Sequence, residues 1–236
     1  MKQLNQNSLW ISFGNKQQEI SMHEIKELRY SDTLKKNIQD YGFEKLIVLD
    51  QQHTARGVCV EEIESKPESW FEYCGDFLVT NTKGIALVVL TADCIPLVLY
   101  DQKNDVVALV HAGWRGLAEN IVFQALRMMQ NLYGTQLHDI VSTVGPSARS
   151  CCYEVSAPFI DGFQQFEWSP KALIKRGDRW YFNKVLFLQE QLQALGVSTQ
   201  NICTSYALCT ICDTSFCSFR REKQTGGRQA TIVALR

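Results

Sequence analysis

Cys94 and His111 stand at the ends of two apolar runs in the stretch LTADCIPLVLYDQKNDVVALVHAGWRG, residues 90–116. Buried strand ends are ordinarily filled by aliphatic side chains, so a thiol and an imidazole there are either satisfied core groups or parts of a site. His53, in the connection QQHTAR between two further apolar runs, offers a third donor. Two imidazoles and a thiolate suit a tetrahedral zinc ion whose fourth position is left to water or substrate. The same donors with a weak axial ligand describe a blue-copper site, so the residue types leave Zn2+ and Cu2+ both open. Sixteen residues separate Cys94 from His111, which matches no compact metal motif. The competing reading is a set of core thiols and surface histidines with no shared ion.

HAGWRG, residues 111–116, carries a second kind of chemistry. An apolar strand runs into His111, a small-residue turn follows, and a helical pattern begins near Leu117. Backbone amides at such a helix start receive anions, and Arg115 adds a charged fork. The alternative is a tight strand-to-helix connection with Trp114 packed over the core.

These groups need elements to hold them. Runs that read as strands are LWISF, EKLIVLD, GVCVEEIE, DFLVT, IALVVLTA, PLVLYD, VVALVHA, IVSTVGP and the closing ATIVALR. The links NTKG and QKND have turn chemistry and predict hairpins. Helices are expected from Ser31 to Gly42, over 117–132 with Gly134 closing it, near 157–166, and over 184–195. A hairpin is expected through KRGDRW. Strands outnumber helices and several neighbours look antiparallel, so the expected fold is α+β (mixed α/β). It is a single domain over 1–236, with a largely antiparallel or mixed sheet core flanked by helices.

With 236 residues, of which 45% are hydrophobic and 21% charged, the chain can bury a sizeable core. A net charge of −1 gives no reason to expect a nucleic-acid or membrane partner. The start of the chain lacks a signal-peptide-like apolar run, which predicts a soluble, cytoplasmic protein whose nine cysteines serve as thiols or metal ligands.

LTADCIPLVLYD, VALVHAGWRG, GPSARSCCYEV and CTICDTSFCSFRREKQTGGRQATIVAL occur in this order. Together they resemble the laccase-domain, or polyphenol oxidase, family, now described as purine nucleoside phosphorylases, over residues 50–234. The resemblance implies a zinc site on His53, Cys94 and His111. It also implies phosphorolysis of adenosine, inosine, guanosine and methylthioadenosine, and deamination of adenosine, with purine nucleosides and phosphate as partners. On that reading Arg115 binds the anion, while Asp93 and Glu154 transfer protons or orient their neighbours. Otherwise Asp93 bonds backbone at a turn and Glu154 is an exposed strand residue.

The family's early Thr-Arg and Gly-Gly element corresponds here to FGNKQQEIS, where Asn15 and Lys16 replace Thr and Arg. A lysine keeps the charge but not the bidentate fork. In the tail, Cys203, Cys209, Cys212 and Cys217 form either a second zinc site or free thiols. Arg220, Arg221 and Arg228 read as structural partners of carboxylates. A copper phenol oxidase is the rival enzyme, but four histidines are few for a multicopper cluster. The remaining alternative is a non-catalytic metal-binding or partner-binding module.

Overall fold

The computed structural model describes residues 2–6, 8–21, 42–43, 45–60 and 73–236. Strands β1 (Lys2–Gln6), β2 (Leu9–Phe13), β3 (Lys45–Val48) and β6 (Ile85–Thr91) join β14 (Gln229–Leu235) in a five-stranded sheet ordered β1-β2-β14-β6-β3. A six-stranded sheet contains β4 (Gly57–Cys59), β5 (Phe77–Thr80), β7 (Ile95–Asp101), β8 (Val106–Ala112), β9 (Ile140–Val144) and β13 (Ile202–Cys203), ordered β13-β9-β7-β8-β5-β4. Most neighbours are antiparallel, while β3 with β6, β4 with β5, and β13 with β9 are parallel. The expected mixed α/β architecture is the observed one.

The two sheets face each other. Ile11, Leu87 and Val233 from the first interlock with Leu78, Val98 and Leu109 from the second. The other face of the six-stranded sheet is covered by the helix Ile121–Tyr133, which contributes Ile121, Val122, Ala125 and Met129, and by an aromatic cluster around Phe163 and Phe187. Every residue of β6, β7, β8 and β14 is therefore buried. A strand covered on both faces has no polar side to alternate with, which explains why these segments read as unbroken apolar runs.

The path between the sheets departs from the hairpin expected at NTKG. β5 and β6 do not pair. Gly84 N–H donates to the Leu235 carbonyl at 2.9 Å, and Lys83 bridges to Leu235, so the link carries the chain from one sheet to the other. The QKND turn does close a hairpin, with Ile95 opposite Ala112 and Pro96 opposite His111. Residues 92–94, the last three of TADC, are the return crossing from β6 to β7. The helix expected over 117–132 is two helices, Trp114–Ala118 and Ile121–Tyr133, broken where Asn120 takes φ 61°. A short antiparallel sheet of β10 (Glu154–Val155), β11 (Leu173–Arg176) and β12 (Arg179–Phe182) includes the expected KRGDRW hairpin. The helices near 157 and 184 form over Ala157–Phe163 and Lys184–Ala194. The helix expected from Ser31, and the part of GVCVEEIE beyond Val60, lie outside the described residues.

Phe163 is buried, and its ring centroid lies 4.6 Å from Phe159, 4.7 Å from Phe182 and 5.2 Å from Phe187. Phe163→Ala should cost about 3–5 kcal/mol through lost burial and the cavity left behind. Urea unfolding should report this as a lower midpoint at an unchanged slope.

Candidate metal centre

The site begins with Asp76, the residue just before β5. Its carboxylate is completely buried, yet it accepts five hydrogen bonds. The donors are the backbone N–H groups of Gln52 (3.3 Å), His53 (3.0 Å) and Thr54 (2.6 Å), the Thr54 hydroxyl (2.9 Å) and His111 Nδ1 (2.8 Å). Burial pushes its pKa up, but His111 and the Thr54 donors outweigh this and hold it below the usual carboxylate value. One carboxylate thus folds the 52–54 loop around itself and fixes the ring of His111 at the end of β8. His53 occupies the left-handed region at φ 59°, a conformation this loop sustains.

Cys94 arrives from the crossing between the sheets. Its sulfur lies 3.8 Å from His53 Nε2, and the rings of His53 and His111 meet edge to face at 4.7 Å. The donor atoms of His53, Cys94 and His111 all lie within 4.8 Å of one another. Register explains the meeting: Ile95 pairs with Ala112, so Cys94 falls beside Gly113. A Cβ at Gly113 would stand 2.9 Å from the His53 ring and 3.3 Å from the Cys94 sulfur, so this glycine makes room for the cluster.

The donor set fits a metal ion. With Nδ1 of His111 committed to Asp76, Nε2 is left as the ligand nitrogen, the usual carboxylate–histidine–metal arrangement. Burial opposes ionisation of Cys94, but the charge and hydrogen bond of His111, with a further bond to His53, hold its thiol well below the ordinary value. The same pairing, reinforced by Asp76, pushes His111 up to about 9 against the effect of burial. A thiolate is therefore favoured where a metal needs one.

The three donors line one wall of a cavity of about 480 Å³. Apolar and aromatic groups form other walls, among them Leu49, Leu90, Trp114, Tyr153 and Phe219, and four cations enter it: Arg115, Lys184, Arg220 and Arg228. The Arg115 guanidinium lies over Trp114 at 4.5 Å. Lys184 and Arg220 both lie 4.8 Å from the Tyr153 ring.

The residues expected to do chemistry fall in different places. Arg115 lines the cavity and is exposed to it. Asp93 also lines it, but both carboxylate oxygens are engaged, one by the Thr210 hydroxyl (2.7 Å) and one by the Arg220 backbone N–H (2.6 Å). Its carbonyl accepts from Ala148 N–H at 3.0 Å and from the buried Lys184 ammonium. Glu154 points its carboxylate to Arg179 at 3.2 Å, and its neighbour Tyr153 faces the cavity instead. The Glu154 carbonyl accepts from Arg220 Nη1 at 3.0 Å. Lys16 pairs with Glu222 at 2.6 Å outside the cavity lining.

Of the tail arginines, Arg221 is structural, donating to the carbonyls of Thr210, Ile211 and Phe216 and to Glu222. Arg220 and Arg228 enter the cavity, a correction to their expected role as carboxylate partners. The tail cysteines do not gather as one group. Cys209 and Cys212 meet Cys151 and Cys152, while Cys217 is buried apart and Cys203 ends β13.

Asp76, Tyr153, Lys184 and Phe219 were missed by sequence reasoning. Tyr153 sits inside the quoted GPSARSCCYEV motif and could have been found there. Asp76 looked like the polar flank of a strand; only the pairing of β5 with β8 buries it.

Residues 29–236 match the family described as multi-copper polyphenol oxidoreductase laccase. The chain belongs to this family. A family relative described as a purine nucleoside phosphorylase, from Aquifex aeolicus, is 32% identical over 209 residues, 89% of this chain and 92% of that protein. A protein described as adenosine deaminase RL5, from an unknown prokaryotic organism, is 31% identical over 193 residues, 80% of this chain and 70% of that one. In fold, the chain superposes on Bacillus licheniformis protein YfiH with a TM-score of 0.87 at 24% identity, covering 98% of this chain and 94% of that one. None of the helices among the described residues is long and apolar enough to cross a membrane.

Asp76→Asn should lower metal affinity at this centre about 10- to 100-fold, measured with zinc in competition with a chromophoric chelator. Because the folded-state pKa of Asp76 is depressed, its contribution to stability is present above 3.8 and is lost as pH falls through the folded value. Urea unfolding of the chelated protein through that acid range should show a weaker pH dependence in Asp76→Asn than in the parent.

Proposed function

We propose that this chain is a zinc-dependent enzyme of purine nucleosides, catalysing phosphorolysis of adenosine, inosine, guanosine and methylthioadenosine, and deamination of adenosine. The observation that carries the reading is the His53–Cys94–His111 set opening on a cavity that combines aromatic walls with four cations. Relatives described as purine nucleoside phosphorylase and adenosine deaminase support both halves of it. A flat purine ring packs against Trp114, Tyr153 and Phe219, and an anion is drawn to the arginines.

In phosphorolysis, a phosphate oxygen bonds to C1′ as the bond from C1′ to the purine nitrogen breaks. The electron pair leaves on the purine, which takes up a proton. Arg115 and Arg228 hold the phosphate and offset the negative charge it brings. Arg220 is set by the Asp93 carboxylate through its backbone N–H, which makes Asp93 a positioning residue, while Glu154 meets it only with a backbone carbonyl. In deamination, the water oxygen bonds to C6 of adenosine and the amino group leaves as ammonia. His53, Cys94 and His111 would hold the zinc ion, which would supply Lewis-acid activation of that water.

A multicopper oxidase is disfavoured because no second imidazole cluster stands beside this one among the described residues. His138 is exposed and pairs with Asp139 at 3.4 Å. His23 lies outside them.

The zinc-loaded protein should consume inosine only when phosphate is present and should convert adenosine to inosine without phosphate, both followed by chromatography. No turnover of any nucleoside by folded, zinc-loaded protein would overturn the reading in favour of a binding module. Arg115→Ala should lower kcat/KM for phosphorolysis about 10²-fold while sparing deamination more. Equal losses in both reactions would remove Arg115 from the phosphate site.

A further inference from the structure

We propose a second metal site, separate from the first, in which Cys151, Cys152, Cys209 and Cys212 hold a structural zinc ion with four thiolates. The four sulfurs lie within 4.8 Å of one another. Cys212 is 3.3 Å from Cys151 and 2.9 Å from Cys152, and all four are free thiols. Zinc–sulfur bonds of about 2.3 Å place tetrahedral sulfurs about 3.8 Å apart, so small side-chain rotations from these positions complete the shell. A disulfide needs sulfurs at about 2.05 Å and would use only two of the four.

The backbone is arranged for this purpose. Segments 147–152 and 208–212, far apart in sequence, are pinned together by a bridge between Ser147 and Cys209. Ser147 N–H donates to the Leu208 carbonyl at 2.9 Å, and Thr210 N–H to the Ser147 carbonyl at 3.2 Å. Cys209 and Cys212 stand on one C-x2-C turn, closed by the Asp213 N–H donating to the Cys209 carbonyl at 3.0 Å.

Four sulfurs this close can all become thiolates only with a positive charge among them, and a dication supplies it. Cys151 and Cys212 are exposed, so an ion can enter from solvent.

All four ligand positions are filled by protein, which makes the site structural. It ties the segment ending in Tyr153 to the one whose Thr210 bonds Asp93 and whose carbonyls at Thr210 and Ile211 hold Arg221. The ion would therefore brace the segment that carries Tyr153 into the cavity. Sequence spacing alone pointed to Cys203 and Cys217 as partners; tertiary contact replaces them with the adjacent pair Cys151 and Cys152.

The test is metal stoichiometry on the full chain, purified reduced and loaded with zinc, together with cobalt(II) substitution. The wild-type protein should bind two equivalents, and Cys209→Ser/Cys212→Ser one. Cys94→Ser should keep one equivalent and give a cobalt spectrum with intense sulfur-to-metal charge transfer. Cys203→Ser should keep two. If reduced, folded Cys94→Ser takes up neither zinc nor cobalt, the second site is wrong, whatever the double variant does. A single equivalent in wild type that vanishes in Cys94→Ser overturns it equally. Should Cys94→Ser keep both equivalents, it is the first metal centre that fails, so the two readings fail separately.

Discussion

One buried carboxylate organises the functional end of this molecule. Asp76 is shut away from water and survives as an anion only because five donors converge on it. Three of those donors are successive backbone amides, so satisfying the charge winds residues 52–54 into one conformation and fixes where His53 stands. A fourth is the ring of His111, whose second nitrogen is thereby turned toward Cys94. Satisfying a buried charge and placing two candidate metal ligands are the same event here. The arrangement has its own vulnerability, since loss of any donor leaves a buried charge underserved.

The third ligand depends on a different constraint. Two sheets packed face to face must exchange the chain somewhere, and residues 92–94 make that exchange where β6 leaves one sheet and β7 joins the other. Asp93 sits at the crossing with φ 85°, held by Thr210, by the Arg220 amide and, through its carbonyl, by Lys184. Its acid group secures the turn that delivers Cys94 and carries the C-terminal segment with Arg220 to the same rim. The cavity thus gathers its metal donors from three segments and its cations from the turn after His111 and from two further segments. Asp93 ties the two groups together.

Much of this was legible locally. Apolar runs long enough for strands stood where β6, β7, β8 and β14 form, because complete burial on both faces leaves a mark on every residue. The nearness of Cys94 to His111, at one end of the QKND hairpin, also followed from short-range turn chemistry. The NTKG link did not. Its turn residues suit a hairpin, but whether the next strand folds back or crosses to another sheet depends on which neighbour buries its faces. The cysteines give a parallel case, in that C-x2-C was visible, but its true partners lie some sixty residues earlier in a loop joined by a single bridge.

The sequence by itself determined most of the element types, the His53, Cys94 and His111 candidates, and, through four ordered motifs, the family. Those features are properties of short stretches, set by side-chain chemistry and periodicity. Tertiary structure alone decided that Asp76 is the hub, that Tyr153 rather than Glu154 faces the cavity, that Arg220 and Arg228 enter it while Arg221 does not, and that two distant cysteine pairs meet. Each of these depends on which backbone segments become neighbours. Burial and hydrogen-bond partnership are relations between residues remote in sequence, and they exist only once the sheets have packed.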